Sequence, residues 1–408
     1  MTASRRLAGL FPGRAARPVL PASVRYCPPL SLDRLAAGDL WRPGPPGVFV
    51  EPPDVPRTTA RPAPVFHDDP DGAGLLADAG PITLPSPPAF AIRASGVTQI
   101  GSRSYVTADG RWFGDDAYLQ DGEFERYAAH LMEGDAFQNE YLGLSAGEAA
   151  GTFALAGRDR PVRRLGGTVV SLCALEGGNY GAFLFRVVPK LATLPAWPED
   201  GAVLAPPLTR SMRDLLGLAG VPLGRLTMQK PGLAYALEHA VIPSMRTTHG
   251  LLDDAARAVF ADLRRRYGVP PAGRRLYVSR RGWGPGGRTP RPMLNEAEVV
   301  ERLAALGFEE VRPHTMSMRA QIACFSSASI VVGAAGSALF NTVFCHPGTL
   351  VVDIESEPHW MFAHMNLFGS AGLDYAIFEA RAADADWSRP HKPLTVNAAA
   401  LADRLKRL

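Results

Sequence analysis

The chain has 408 residues, of which 46% are hydrophobic and 20% are charged. This composition excludes a disordered or fibrous chain and is typical of a globular protein, for which roughly 100–200 residues per domain predict two or three domains. The 43 basic and 40 acidic residues give a net charge of only +3, which is too even a balance to indicate a nucleic-acid partner.

The four cysteines form no CxxC pair and no spacing suited to zinc. Cys173, Cys324 and Cys345 lie in apolar runs, where a free thiol packs as a small hydrophobe. We therefore expect a reduced, cytoplasmic protein.

No apolar run approaches the roughly 18–20 residues that a membrane-spanning helix needs. Residues 1–17 carry four arginines around a short apolar piece, which is too interrupted for a secretory signal. A frayed terminus is the expectation for this basic start. Peripheral contact with the inner face of the membrane is the alternative.

Proline divides the chain, because 18 of its 37 prolines precede Phe90. Proline fixes φ and removes a hydrogen-bond donor, so these clusters resist helix and central strand. We expect residues 1–88 to form an irregular or partly extended lead-in that packs along the first domain or is mobile.

Between residues 89 and 270 the pattern predicts strands and helices. A hairpin is expected around Asp109 and Gly110, and residues 168–174 are predicted to form a buried strand. Residues 181–193 have helical spacing, with Pro189 expected to kink or shorten the helix. Further elements are weaker strands at 202–205, 225–228 and 235–241, and an amphipathic helix at 251–267 that ends at the domain boundary.

Strands and helices alternate more clearly after residue 270. The predicted strands are 276–279, 310–312, 329–332, 349–354 and 375–378, and the predicted helices are 295–306 with Asn295 as its N-cap, 317–327, 337–344, 359–368 and 396–408. Right-handed crossovers then give an α/β fold with an open, doubly wound parallel sheet.

A glycine turn joins the strand at 329–332 to the helix predicted at 337–344. Gly333 and Gly336 would let the backbone approach a ligand closely, and free amides at a helix start suit a phosphate. Ser337 adds a hydroxyl, and Asn341 belongs to the same stretch. A tight turn that needs glycine only for packing explains the pattern as well.

Acidic side chains stand at the end of the strand predicted at 349–354 and directly after it. Ligands of doubly wound sheets bind outside the carboxyl ends of the strands, where Asp353 and Glu355 could bind ribose hydroxyls. A solvated strand end is the alternative interpretation.

Arginines follow the strand at 276–279. Arg280 and Arg281 come directly after it, and Arg288 and Arg291 lie further along the loop. A guanidinium group binds phosphate through a planar fork, and a diphosphate leaving group needs such charge stabilisation. A solvated basic loop is the alternative.

Together these segments resemble the family 61 glycosyltransferases, known in bacteria as capsular polysaccharide biosynthesis proteins. The resemblance extends over residues 168–375, and it rests on the order and spacing of several blocks. These are residues 176–191 (EGGNYGAFLFRVVPKL), residues 276–281 (LYVSRR) with Arg291 and Asn295 downstream, and residues 331–333, 336–341 (GSALFN), 344–349 and 351–354.

The resemblance implies two Rossmann-like domains that face each other across a cleft, in a GT-B-like arrangement. Residues 89–270 would bind the acceptor, residues 271–380 the nucleotide sugar, and residues 381–408 would form a tail and helix. It also implies inverting transfer to a glycan or a lipid-linked glycan, in the synthesis of a capsular or other cell-surface polysaccharide. No cofactor and no DxD-bound metal are expected.

The sequence departs from the family pattern at two positions. Where relatives commonly carry a histidine and an aspartate, this chain has Ala182 and Arg186. An inverting transfer needs a base for the acceptor hydroxyl, and neither residue can serve. Three interpretations stay open. The base is another carboxylate, with Glu176 first and Glu355 second; or transfer proceeds more slowly on charge stabilisation alone; or the chain has lost transfer and kept binding.

The remaining roles follow from position. Arg280 is the candidate for catalytic charge stabilisation, and Asn179 and Tyr180 are candidates for acceptor contact, with helix capping as the alternative. A third class of function, a Rossmann oxidoreductase, is disfavoured because residues 333–336 lack the GxGxxG spacing.

Overall fold

The structure is a computed structural model. The described residues are 20–21, 23–26, 48–50, 57–76, 79–86, 89–115, 143–146, 152–155, 159–194, 197–198, 201–247, 250–284, 291–383 and 392–408. The basic residues 1–17, Cys27 and Arg288 lie outside these ranges. Within them, no helix is both long and apolar enough to cross a lipid bilayer.

The strands of the described residues belong to two large sheets and two two-stranded sheets. In chain order they are β1 (Ser23–Tyr26), β2 (Val48–Val50), β3 (Arg57–Arg61), β4 (His67–Asp68), β5 (Ile82–Ser86), β6 (Ala91–Ile100), β7 (Ser104–Val106), β8 (Arg111–Phe113), β9 (Leu144–Ala146), β10 (Thr152–Leu155), β11 (Val162–Ser171), β12 (Ala202–Ala205), β13 (Leu226–Met228), β14 (Ala234–Pro243), β15 (Arg274–Val278), β16 (Phe308–Val311), β17 (Ala328–Ala334), β18 (Leu350–Glu355), β19 (Asp374–Glu379), β20 (Arg381–Ala382) and β21 (Leu394–Thr395).

The helices are α1 (Tyr180–Ala182), α2 (Arg210–Leu218), α3 (Asp254–Tyr267), α4 (Glu296–Ala304), α5 (Met318–Ser326), α6 (Pro358–Ser370) and α7 (Ala398–Lys406). Short 3₁₀ turns span Leu223–Arg225, Pro313–Thr315 and Leu339–Phe344. The elements agree with a mixed α/β fold, and most of the predicted strands and helices are confirmed to within a few residues.

The first sheet is mixed. Its strand order is β13-β12-β11-β14-β6-β7-β8-β1-β10-β9, with β2 paired to β6. Strands β11 to β14 run parallel to their neighbours within that group, whereas β6 is antiparallel to β14. The predicted hairpin is confirmed, because β7 and β8 pair across a turn in which Gly110 has a φ of 81°.

The second sheet is wholly parallel, in the order β16-β15-β17-β18-β19-β4. Counted from β15, its first five strands follow the order 2-1-3-4-5 of one doubly wound topology. The strands from β15 to β19 alternate with α4, α5, the 3₁₀ turn Leu339–Phe344 and α6. The predicted doubly wound sheet is therefore confirmed for the second half of the chain.

The lead-in differs from its prediction, because parts of it enter both sheets. Strands β1 and β2 join the first sheet, whereas β4 pairs with β19 at the edge of the second. The buried Arg61 of β3 donates to Tyr375 Oη at 2.7 Å and to Gly80 O at 2.8 Å. The expectation that the lead-in packs along the first domain was therefore wrong for this part, since Tyr375 and β19 belong to the second half.

One prediction about helix starts was wrong, and another is confirmed in position only. Residues 337–344 do not form an α-helix, because only the six residues Leu339–Phe344 are helical and their hydrogen bonds are of the 3₁₀ type. Asn295 is the N-cap residue of α4 as predicted, but its side chain bonds both backbone groups of Val396 near α7 and no backbone N–H of the helix. A tertiary contact thus takes the polar group that the local pattern assigned to the helix.

The segment after β11 is helical but irregular, as Pro189 predicted. It begins with α1, continues as a π-helical turn at Phe183–Val187 and ends as a 3₁₀ helix at Val188–Thr193. Proline lacks the N–H that a regular helix would use there. Lys190 is fully buried next to it, donates to Cys173 O at 2.7 Å and pairs with Asp115 at 2.5 Å.

One buried apolar cluster includes residues from both sheets. It contains Leu172 and Phe183 from the first half and Val331 and Phe340 from the second. At Gly181 the two halves touch so closely that a Cβ would lie 2.8 Å from Phe340 Cε2 and 2.9 Å from Ser337 Oγ. The segments that follow β11 and β17 are therefore packed directly against each other.

Replacing Gly181 with alanine tests this close packing. Overpacking costs about 1–3 kcal/mol, and the better helix propensity of alanine returns only about 1 kcal/mol, so we expect a net loss of stability. The measurement is the free energy of unfolding in urea. Gly224→Ala is the matched control, because a Cβ there meets nothing within 4 Å. Equal stability of both variants would contradict the packing.

Candidate functional site

The site lies at the point where the strand order of the second sheet reverses, between β15 and β17. In a sheet of the order 2-1-3-4-5, the connections from the first and third strands leave toward opposite faces, which opens a crevice at their carboxyl ends. Here those strands are β15 and β17, which pair side by side. Arg280 follows β15 and Gly336 follows β17, so the topology alone brings the basic loop and the glycine turn together.

Two arginines converge on Gly336. A Cβ at this glycine would lie 3.0 Å from Arg291 Nη2 and 3.3 Å from Arg280 Nη1. Gly336 has a φ of 141°, which also favours glycine. Arg280 Nη1 donates to Ala335 O at 3.3 Å. We call Arg280, Arg291 and Gly336 the arginine pair site.

The arginine pair site is positively charged and partly desolvated. Burial, followed by repulsion from Arg291, lowers the pKa of Arg280 to about 10, while Glu296 and Glu355 act in the opposite direction. The guanidinium therefore remains charged at neutral pH. Glu296 is held by two donors from the β15 end, Ser279 Oγ at 2.8 Å and Tyr277 Oη at 3.2 Å.

Arg281 does not join this site. Its guanidinium forms two bonds with Glu310 of β16, at 2.7 and 3.2 Å. Arg280 instead donates to Ala335 O, directly after β17, so the two arginines have partners at different neighbouring strands. A phosphate contact from Arg281 has no support in this geometry.

The other residues of the predicted phosphate turn have different surroundings. A Cβ at Gly333 would lie 3.0 Å from Val278 Cβ, so this glycine serves strand packing. Asn341 is fully buried, accepts from Tyr180 Oη at 2.6 Å and donates to Ala338 O at 3.1 Å. Ser337 donates to Asn179 Oδ1 at 3.3 Å. Because residues 337–338 precede only a 3₁₀ turn, positive charge here comes from the arginines and not from an α-helix.

A buried acidic cluster lies beside the arginine pair site. Asp353 and Glu355 both belong to β18. His364 of α6 places its Nδ1 3.0 Å from Asp353 Oδ2 and 3.5 Å from Glu355 Oε2. All three residues are buried, and the His364 ring meets Phe340 edge-on at 4.8 Å. Asp353 Oδ1 and Glu355 Oε2 receive no hydrogen bond from the described residues.

Burial raises the pKa of Glu355, and the neighbouring Asp353 raises it further, to about 7. Burial alone would lower the pKa of His364, but the carboxylates of Asp353 and Glu355 outweigh it and raise this pKa. Arg291 acts against that rise. Glu355 and His364 therefore both bind a proton more tightly than the same side chains would in water.

The acidic cluster also has the ligand types of a metal site, since its ligand atoms lie within 4.8 Å of one another. Two guanidinium groups close by oppose a further cation electrostatically. That no metal takes part therefore stays a prediction. Sequence reasoning missed His364, whose relation to Asp353 depends on how α6 packs on β18.

Glu176, the first candidate base, lies in the first half of the chain, in the segment between β11 and α1. It is the one non-glycine residue of the described chain with positive φ, at 52°. Its Oε2 accepts from Arg186 Nη1 at 2.6 Å, and Ala182 is buried nearby. Arg186, which stands where an aspartate was expected, therefore holds the candidate base Glu176 in an ion pair.

The two predicted acceptor residues differ in availability. Tyr180 Oη is bonded to Asn341, and burial raises its pKa. Asn179 is exposed and uses Oδ1 to accept from Gly181 N and from Ser337 Oγ. The capping interpretation of Asn179 is thus confirmed, and its acceptor contact stays a prediction.

Residues 180–352 match the family Glycosyltransferase 61. This match confirms the resemblance for that stretch, which is 173 of the 408 residues and contains the arginine pair site. Glu176, Asp353 and Glu355 lie outside it. No curated protein matches the chain at a significant level.

The raised pKa of Glu355 predicts a pH-dependent stability. A carboxyl whose pKa is higher in the folded state stabilises the fold below its unfolded pKa of about 4.3, and this contribution is lost as pH rises through about 7. Glu355→Gln cannot ionise, so we expect it to gain about 1–3 kcal/mol over the wild type between pH 5 and pH 8.

The measurement is the free energy of unfolding in urea across that range. Glu301→Gln, at an exposed position of α4, controls for the loss of one negative charge. A constant difference between Glu355→Gln and the wild type at all pH values would contradict the raised pKa.

Proposed function

We propose that the protein is an inverting glycosyltransferase that takes its sugar from a nucleotide-sugar donor. The family match supports glycosyltransferase activity in general. The observation that supports a nucleotide-sugar donor is the convergence of Arg280 and Arg291 on Gly336 at a strand switch point. Two guanidinium groups around a bare backbone suit a diphosphate.

In the proposed reaction an acceptor hydroxyl oxygen attacks the anomeric carbon of the donor. The bond from that carbon to the diphosphate oxygen breaks, and its electron pair leaves with the diphosphate. Negative charge grows on the leaving group, which the arginine pair site would stabilise more strongly in its partly desolvated position than in water. The hydroxyl proton passes to a base.

Glu355 fits the base better than Glu176. Its pKa of about 7 suits a base that works near neutral pH, and its Oε2 has no hydrogen bond from the described residues. Glu176 is engaged by Arg186. Because Glu355 is buried, donor binding would have to open a path to it.

Several finer expectations belong to the same proposal. We propose a GT-B-like arrangement with the domain limits 89–270 and 271–380, contact of Asp353 with the donor ribose, and acceptor contact at Asn179. We further propose a glycan or lipid-linked glycan acceptor in cell-surface polysaccharide synthesis on the cytoplasmic side of the membrane, with no metal cofactor.

One observation favours a second function, binding of nucleotide or glycan without transfer. The ion pair between Arg186 and Glu176 stands where the family pattern has an aspartate, and Ala182 replaces a histidine. These changes remove two groups that could accept a proton on the acceptor side but leave the arginine pair site intact. This function predicts nucleotide binding without sugar transfer.

The arginine pair site can be tested by calorimetry with UDP- and GDP-sugars, which carry a diphosphate, and with a CMP-sugar, which carries a single phosphate. For the nucleotide that binds, we expect Arg280→Gln and Arg291→Gln each to weaken binding about tenfold or more, as loss of a hydrogen bond to a charged group does. Arg281→Gln is the matched control, because Arg281 faces Glu310. We expect it to bind within about threefold of the wild type.

Failure of all three nucleotides to bind the wild type would contradict the proposal. So would equal weakening by all three arginine variants, since a general loss of positive charge would explain it. Turnover with a suitable acceptor separates the two functions: transfer removes the binding-only alternative, and bound nucleotide without transfer supports it.

A further inference from the structure

We infer that a cavity beside Asn179 binds an anionic sugar residue of the acceptor. This inference rests on the proposed function and adds to it the chemical class of the acceptor. The cavity has a volume of about 230 Å³ and adjoins the segments that follow β11, β12 and β13. Ligands of α/β sheets bind at such carboxyl ends of parallel strands.

The lining of the cavity is basic. Arg160 and Lys230 contribute to it, and none of the lining residues in the described part of the chain is acidic. Lys230 is exposed and Arg160 is half-buried, and neither forms an ion pair with the described residues. Two like charges at one small cavity repel each other, and an anionic ligand would relieve that repulsion. A neutral sugar would gain nothing from this charge.

The walls of the cavity are held in place without a ligand. A Cβ at Gly177 would lie 2.9 Å from Pro206 Cγ, so glycine is needed where the β11 and β12 segments meet. The turn after β13 is fixed by Gln229, which bonds Gly101 O, and by Lys230 N, which donates to Tyr235 Oη at 2.7 Å. A preformed cavity loses less entropy on binding.

The cavity is also close to the arginine pair site. Asn179 lines it and accepts from Ser337, which directly follows Gly336. An acceptor bound here would therefore lie next to the point where the donor diphosphate is proposed. The volume is below the roughly 300–1,000 Å³ of sites for drug-sized ligands, which suits one sugar residue and not an oligosaccharide.

The test compares three probes by saturation-transfer NMR and titration. Methyl β-glucuronide and glucose 6-phosphate carry a carboxylate and a phosphate, and methyl β-glucoside is their neutral counterpart. With the wild type we expect at least one anionic probe to bind about tenfold more tightly than the glucoside. Its identity tells which anion the cavity takes.

Two double variants distinguish the effect of the charges at the cavity from the effect of the protein's net charge. Arg160→Gln with Lys230→Gln should abolish the preference for the anionic probe. Arg213→Gln with Lys406→Gln, at exposed positions outside the cavity, removes the same charge and should keep the preference. Nucleotide binding is measured in parallel and should be unchanged in both.

Equal affinity for charged and neutral probes, or a preference that survives in the cavity variant, would overturn the inference. Weaker nucleotide binding in the cavity variant would do so too, since Arg160 and Lys230 would then serve the donor. If the wild type binds no nucleotide but keeps the anion preference, the proposed function fails and the cavity assignment stands.

Discussion

The approach of two guanidinium groups to one glycine is the constraint on which the site depends. Arg280 and Arg291 converge on Gly336 so closely that a Cβ there would lie only 3.0–3.3 Å from their terminal nitrogens. Like charges at this range repel, and burial makes the repulsion stronger. The fold offsets part of it with the carboxylates of Glu296 and Glu355. A ligand with two negative charges would offset the rest, which is why the geometry favours a diphosphate.

The acidic cluster has to be understood with the arginines beside it. Glu355 and Asp353 are buried, and His364 lies between their carboxylates, so the cluster takes up a proton more readily than exposed groups would. A negative ligand at the arginine pair site would strengthen this tendency, because it would partly neutralise the nearby positive charge. Binding of an anionic ligand at the arginine pair site would therefore raise the proton affinity of the acidic cluster through electrostatics alone, without any change of fold.

The sequence was sufficient for features that depend on local pattern. The buried strands β17 and β18 are apolar runs, and Pro189 marks the irregular helix after β11. It was insufficient where distant residues compete for one group. The side chain of Asn295 bonds Val396 and not the backbone at the start of α4, and Arg281 forms an ion pair with Glu310. His364 contacts Asp353 only because α6 packs on β18. Each of these partners is set by tertiary structure, which local spacing does not encode.

The junction between the two sheets limits how substrates can enter. Phe183 and Phe340 belong to one buried cluster, and exposing each would cost about 1.5–3 kcal/mol. The bond between Tyr180 and Asn341 would also be lost if the sheets separated there. Any hinge motion between the two sheets would therefore have to pivot about this junction, so that the segments around Gly336 and Asn179 stay together while the outer edges open.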